Sequence, residues 1–340
     1  MRRVILSLAV VLPLVAVVAC GSPASGPAAP VQSSADEPVT VKDCAGKDIT
    51  FDTTPERVVA LDGYAAQALV RLGLADKVVG TGFPAPFTAD TPPYRDQLAK
   101  IPVLSEKVPV TEVVAAQQPD VVVTAFSAFG GPAGSPKDAD LVTIGVTGLA
   151  ACMPGGTDMG GVGTPSALTD LAPTYDYLRK LGRVFRVSDR AEQLISQLDA
   201  RAKAADKADS GAKPKVLVLQ DNPVAGQPIK TSGINTIAHA LITMAGGESL
   251  FTDISSMHAD VSPEQVVQRD PEVIWVITDY NFVKLKGQEL VAAVKANPLL
   301  ANTTAAKHGR IVSTSQYAVS FPSPLNVDGL EQLATDMGAR

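Results

Sequence analysis

The chain has 340 residues, 46% hydrophobic and 19% charged, with a formal net charge of −6. That length can bury a large core and suggests two domains or lobes. The acidic balance argues against a nucleic-acid partner, and the composition is that of a soluble globular protein over most of its length. The start differs: "MRR" is a basic opening, followed by the apolar run "VILSLAVVLPLVAVV", too short for a comfortable membrane span.

The run ends at "VVAC", with Ala19 directly before Cys20. A signal whose removal leaves cysteine in first place resembles a bacterial lipoprotein lipobox. The resemblance implies diacylation of Cys20; the alternative is an ordinary secretory signal with an incidental cysteine. Loss of residues 1–19 removes Arg2 and Arg3 and no acid, taking the net charge from −6 to −8. Residues 20–38 are Gly-, Ser-, Pro- and Ala-rich and read as a flexible tether. So acidic a body offers no surface for anionic lipid. The expectation is a water-exposed protein held to the extracytoplasmic face of the cell membrane by its lipid.

Cys44 and Cys152 then remain as an even pair in an oxidising compartment, which reads as one disulfide. Closing a loop of that length would stabilise by roughly 4–5 kcal/mol. Two free buried thiols are the alternative.

Residues 39–165 read as an N-terminal α/β lobe. "VTVKDCAGKDITF" alternates about a Gly turn as a hairpin, "ERVVAL" is a buried strand and "DGYAAQALVRLGL" a helix stopped by Gly73. "DKVVGTG" is a strand and "FPAPFTADTPPYRDQL" a loop. The helix "TEVVAAQQ", the strand "DVVVTA", the loop "FSAFGGPAGSPKD" and a strand in "DLVTIGV" complete an alternation that argues for a parallel sheet covered by helices.

Residues 166–210 carry no strand signal. Ala191, Leu194, Ile195, Leu198 and Ala202 share one helical face, with Asp189 and Glu192 spaced as a capping box. This is a long backbone helix and predicts a stiff connection with small closing motion. From residue 211 to 340 the alternation begins again, with strands in "KPKVLVLQ", "PEVIWVIT" and "GRIVST" and helices between and after them. The fold class is therefore α/β, two Rossmann-like lobes joined by a single long helix. The lobes share a phrase. "TEVVAAQQPDVVVTA" at 111–125 and "PEQVVQRDPEVIWVIT" at 263–278 each open on a glutamate, Glu112 and Glu264, 152 residues apart. Seven residues on, Pro119 or Pro271 precedes an acid and a hydrophobic run.

These phrases, with "LRKLGRVFRVSDRAEQLI", "AGGESLF", the lipobox and the two-lobe order, resemble the class III substrate-binding proteins of ABC importers, which deliver ferric siderophores, haem and cobalamin. The resemblance spans nearly all of residues 39–340. It implies that Glu112 and Glu264 form salt bridges with arginines on the two subunits of a permease dimer. An acid stabilising a helix N-terminus is the plainer reading of each, and the two are compatible. The protein is expected to act as a monomer.

A ligand cleft between such lobes lies where loops leave the carboxyl ends of the strands. Candidates there are Tyr64, Phe83, Phe87, Arg95, Phe126, Phe129, His258, Tyr280 and Tyr317; the aromatic faces suit a rigid, partly apolar chelate, with ordinary packing within a lobe as the alternative for some of them. Trp275 and several of these tyrosines are expected near the cleft, so ligand should change the intrinsic fluorescence.

Catalytic and metal chemistry find no inventory. The three histidines have no i,i+4 pairing, "GGTDMGGVG" lacks a following Lys-Ser/Thr, and no G-x-S-x-G occurs. His239 reads as a core residue and His308 as a surface turn; His258 reads either as a cleft residue able to touch ligand or haem iron, or as a plain polar loop residue. The expectation is no enzyme, no resident cofactor and no protein metal site. One cleft arginine on an acidic protein disfavours a strongly anionic catecholate complex. A ferric hydroxamate-type siderophore is favoured, with haem, cobalamin or a non-transport cell-surface role as alternatives.

Overall fold

The computed structural model describes residues 37–84, 87–130, 135–153, 166–208, 211, 213–280 and 283–338. The signal 1–19, Cys20, all but the end of the tether and "GGTDMGGVG" lie outside them, and the boundaries expected at 165 and 210 fall on the edges of segments left out.

Strands β1 (Val39–Lys42) and β2 (Asp48–Phe51) pair antiparallel, and the hairpin turn is held by Asp43 Oδ1, which accepts from the Ala45 and Lys47 amides at 2.9 and 2.8 Å. Next come β3 (Val58–Ala60), β4 (Val78–Gly82), β5 (Val103–Ser105), β6 (Val121–Thr124) and β7 (Thr147–Ala150), parallel in the order β5-β4-β3-β6-β7. Every residue of β3 and β6 is buried, because α1 (Gly63–Arg71), α2 (Tyr94–Leu98), α3 (Thr111–Ala115) and α4 (Asp138–Thr143) connect these strands.

The second lobe has β8 (Lys215–Leu219), β9 (Ile229–Thr231), β10 (Glu248–Ser249), β11 (Ala259–Val261), β12 (Val273–Ile277) and β13 (Ile311–Thr314). Four of them form a parallel sheet, β10-β8-β12-β13, while β9 and β11 pair antiparallel. Between the lobes run α5 (Ala172–Val184) and α6 (Ser188–Ala205). The second lobe's helices are α7 (Ile237–Met244), α8 (Pro263–Arg269), α9 (Gly287–Lys295), α10 (Thr304–Lys307), α11 (Gln316–Val319) and α12 (Asn326–Gly338).

The repeated phrase has one physical meaning in both lobes. Gln118 and Asp270 follow α3 and α8 in left-handed backbone, φ +49° and +53°, directly before the prolines that forbid further helix. The acid after each proline caps the neighbouring strand. Asp120 Oδ2 accepts from the Glu56 and Arg57 amides at 2.7 and 2.8 Å, and Glu272 Oε2 accepts from the Lys215 amide at 3.0 Å. Those same basic residues return to the helix ends. Arg57 donates to the Gln117 and Gln118 carbonyls at 2.6 and 3.1 Å, and Lys215 Nζ to the Arg269 carbonyl at 3.2 Å. Helix termini leave carbonyls without partners, and each lobe satisfies them by this exchange.

Three local expectations are corrected, the first being that the segment expected as a loop at 83–98 ends in the helix α2, Tyr94–Leu98. Asp138–Thr143 is helical rather than strand, with the Asp140 carboxylate accepting from the Lys137 amide at 2.9 Å; the strand begins at Thr147. The Asp189–Glu192 capping box is absent. α6 starts at Ser188, and Glu192 instead accepts from Arg179 of α5 at 2.9 Å. The connection is thus a pair of helices turning at Phe185–Val187, with Arg186 at φ +56°. The 18-residue α6 is the long element, about 27 Å. It reaches the first lobe at Arg190, which donates to the Leu72 and Gly73 carbonyls, and α12 at Arg201, which meets Asp328 and Glu331.

A hydrophobic core runs between the two sheets, and a second cluster, including Leu217, Ile274, Val276 and Leu290, packs the second lobe's sheet against α9. Buried residues of β3, β6 and α1 are continuous with those of β8, β12, α7 and α12. Tyr64 of α1 stacks on Tyr317 of α11 with ring centroids 4.4 Å apart, and the Tyr317 hydroxyl donates to the Phe83 carbonyl at 2.9 Å. Gly63 permits this approach, since a Cβ there would sit 2.8 Å from Tyr317 Cε1. Thr174 to Asn326 at 2.6 Å and Ser323 to Gln67 at 3.3 Å complete a buried, hydrogen-bonded junction.

Candidate functional site

The second lobe builds the site from its strand ends. β8 runs into buried Gln220, β9 carries Lys230, the chain enters β11 through His258 and Ala259, and β12 leads to half-buried Tyr280. The β9–β11 register sets Lys230 opposite Asp260, and the two form an ion pair at 3.0 Å. These side chains line a cavity of about 370 Å³. Gln220, His258 and Tyr280 are shared with a small recess lined by Met257, Ile277, Val319 and Phe321. The outer opening therefore carries one ion pair among polar and aromatic side chains, and the recess sets apolar Met257, Ile277, Val319 and Phe321 beside the hydroxyls of Ser232, Thr236 and Ser320. Gln220 Nε2 lies 3.4 Å from His258 Nδ1 and 3.5 Å from Ser232 Oγ.

Of the residues expected at a cleft, His258 and Tyr280 meet here, ring centroids 6.4 Å apart. Tyr64, Phe126 and Tyr317 are brought together elsewhere. They form the buried junction with Phe321, Phe126 lying edge-on to Phe321 at 4.7 Å. Tyr64 and Tyr317 have no exposed surface, and Phe83 is 8% exposed. Phe87 packs half-buried against the first lobe's core, and Phe129 lines a separate cavity beside the β1–β2 hairpin. Arg95 lies on α2, half-exposed, with Asp96 at 3.9 Å, and lines none of the cavities described. Trp275 is fully buried at the centre of β12, a core residue and not a wall of the cleft. Gln220, Lys230, Asp260 and Phe321 were missed; of these only Phe321, an aromatic before proline after a strand, carried a readable signal.

His239 is buried with Nδ1 2.7 Å from Ser249 Oγ, its pKa lowered by desolvation, and His308 caps α10 at the surface. Among the described residues no three His, Cys, Asp or Glu side chains converge on a possible metal position. Cys44 and Cys152 are joined as a disulfide.

Glu112 and Glu264 are exposed in the first turns of α3 and α8. Each helix feeds the amino end of a parallel strand, so its own start lies toward the carboxyl edge of its sheet. α8 begins with a complete capping box between Ser262 and Gln265, leaving Glu264 free of that duty. Neither glutamate has an ion-pair partner among the described residues.

At the junction, Asp62 caps α1, accepting from the Ala65 amide at 2.9 Å, the Thr124 hydroxyl at 2.6 Å and the Ala125 amide at 3.1 Å. Complete burial outweighs these bonds and pushes its carboxyl up to about 6. A raised carboxyl stabilises the fold below the unfolded value near 3.8 and loses that contribution as pH rises through about 6. Asp62→Asn should remove this term. Urea midpoints from pH 4 to 7 should show the wild type's advantage over the variant shrinking by about 2–3 kcal/mol as pH rises. A pH-independent difference would refute the assignment.

Residues 58–318 match the family described as "Periplasmic binding protein". The chain is 24% identical to the uncharacterized ABC transporter substrate-binding lipoprotein YvrC of Bacillus subtilis, over 96% of this chain and 94% of that one. It is 26% identical to a cobalamin-binding protein of Halobacterium salinarum, over 87% of this chain and 73% of that protein. A crystal structure of an ABC-type Fe3+-hydroxamate transport system from Saccharomonospora viridis superposes with a TM-score of 0.73 at 28% identity, covering 89% of this chain and all of that one.

Proposed function

The chain belongs to the periplasmic binding protein family, as a class III ABC-transporter substrate-binding protein and not an enzyme, and from that premise we propose that its ligand is a ferric hydroxamate-type siderophore. The observation that carries this is the charge of the cavity. Among the described residues its one lining lysine or arginine, Lys230, is already paired with Asp260 at 3.0 Å. A strongly anionic catecholate would meet no unpaired cation there and would lose its hydration without replacement. A near-neutral chelate needs only hydrogen-bonding edges, which Gln220, His258 and Tyr280 supply, and an apolar surface, which Phe321 and Val319 supply. The similar Saccharomonospora protein points the same way. Cobalamin is the second reading, favoured by the Halobacterium relative and the aromatic recess. The protein would work as a monomer, anchored through lipid on Cys20 at the extracytoplasmic face, and hand its chelate to a permease dimer.

The test is one titration series with a ferric hydroxamate, a ferric catecholate, haem and cobalamin. Trp275 is too deep for contact quenching, so the readout is energy transfer to these coloured ligands. The hydroxamate should bind at least about tenfold more tightly than the others, a difference of about 1.4 kcal/mol. Tightest binding by the catecholate would overturn the charge argument. A haem Soret shift lost in His258→Ala would make this a haem receptor.

A further inference from the structure

The Cys44–Cys152 bridge has an unusual neighbour. Lys180 of α5, half-buried, places Nζ 2.9 Å from Cys152 Sγ and 3.0 Å from the Ala150 carbonyl. No carboxylate touches it among the described residues; Asp43 and Asp176 act on it only through space, and burial lowers its pKa. An ammonium so placed lacks an anion, and breaking the bridge at this sulfur would create one beside it. The two sulfurs are not equivalent. Among the described residues no cation contacts Cys44 Sγ, and Cys44 lines the cavity of about 620 Å³ beside the hairpin, whereas Cys152 does not. The charged residues lining it are three acids, Asp43, Asp48 and Asp138, against Lys47, with Asp48 paired to Lys42 at 2.6 Å. That balance favours a neutral or cationic reagent.

We propose that this disulfide is a directional thiol-exchange site, at which a small aminothiol becomes attached to Cys44. The incoming thiolate attacks Cys44 Sγ and forms a new S–S bond. The Cys44–Cys152 bond breaks, and its electron pair leaves on Cys152 Sγ as a thiolate beside the Lys180 ammonium. One thiolate enters and one is released, so no oxidant or reductant is consumed. The direction follows from leaving-group stability: the sulfur whose thiolate is stabilised by a cation departs faster. The hairpin stays in place when the bridge opens. Arg183 donates to the Thr40 carbonyl at 2.6 Å, Arg186 donates to Thr54 Oγ1 at 2.8 Å, and Val41 and Phe51 remain in the core.

The experiment incubates the full chain with cysteamine near pH 7 without denaturant, blocks free thiols with iodoacetamide and maps the peptides by mass. Cysteamine should appear on Cys44 and the alkyl group on Cys152, with at least about tenfold preference over the reverse. Lys180→Met should slow exchange by about tenfold and Lys180→Arg should restore it. Equal labelling of the two cysteines, no exchange at all, or a wild-type rate in Lys180→Met would each overturn the proposal. A second measurement does not depend on that variant's folding. In Cys44→Ser, alkylation of Cys152 should be half-maximal well below the ordinary thiol value of about 8.5. An ordinary or raised value would count equally against it.

Discussion

Replacing Glu112 and Glu264 together by alanine is expected to reduce uptake of the ligand at least about a hundredfold while changing its affinity less than about twofold. Both carboxylates are exposed, unpaired among the described residues and set in the first turn of a helix beginning toward the carboxyl edge of its sheet. They stand 152 residues apart in one repeated phrase, so each lobe offers the same group in the same local frame. A partner with two-fold symmetry can match such a pair with one residue used twice. Truncating one member of a desolvated interfacial charge pair costs about 2–5 kcal/mol, and two such losses account for the hundredfold figure. Stability should barely change, since an exposed acid at a helix start contributes under about 1 kcal/mol. Transport with the cognate permease in vesicles, beside equilibrium binding, separates the effects. Unimpaired transport by the double variant, or weakened binding in proportion to transport, would remove the docking role.

Tyr317→Ala should lower the unfolding free energy by about 3–5 kcal/mol, the range for deleting a large buried aromatic. Tyr317 has no exposed surface, stacks on Tyr64 at 4.4 Å and bonds the Phe83 carbonyl at 2.9 Å, so one residue links α11 to α1 and to the end of β4. Tyr317→Phe keeps the stack and should cost about 1 kcal/mol, the net worth of one hydrogen bond. Urea denaturation checks both. A loss under about 1 kcal/mol in Tyr317→Ala would mean that the lobes do not depend on this contact. The same burial explains why closure between the lobes should be small: a wide opening would tear a dry aromatic stack and its hydrogen bonds.

The redundancy of the repeated phrase made much of the fold readable. Glu112, Pro119 and Asp120 recur as Glu264, Pro271 and Glu272, and helix start, helix stop and strand cap are local events needing few distant partners. Strands such as "VVVT" and "VIWVI" were equally plain, because burial on both faces demands an unbroken apolar run. Where a short segment lay between patterns, the reading failed. "DADLVTIGV" has valine and isoleucine enough for a strand, yet Asp138 and Asp140 favour a helix start, and 76%-exposed Val142 shows an apolar residue left outside.

Of the site, the residue types at the strand ends and the duplication of two acids were legible from the residues alone, because those facts depend on order along the chain. Which of those side chains would face a cavity was decided by tertiary structure. Tyr64, Phe126 and Tyr317 were as suitable for a chelate as His258 and Tyr280, but packing of α11 against α1 seals the first three into the junction. Lys230 and Asp260 carry no local signal, and their pairing exists only because β9 and β11, 30 residues apart, align in one antiparallel register. Lys180 and Cys152 meet for the same reason: the end of β7 and a turn of α5 are neighbours in space. Local chemistry is written in the order of residues; the side a residue faces, and the charge it finds there, are set by whatever distant segment packs against it.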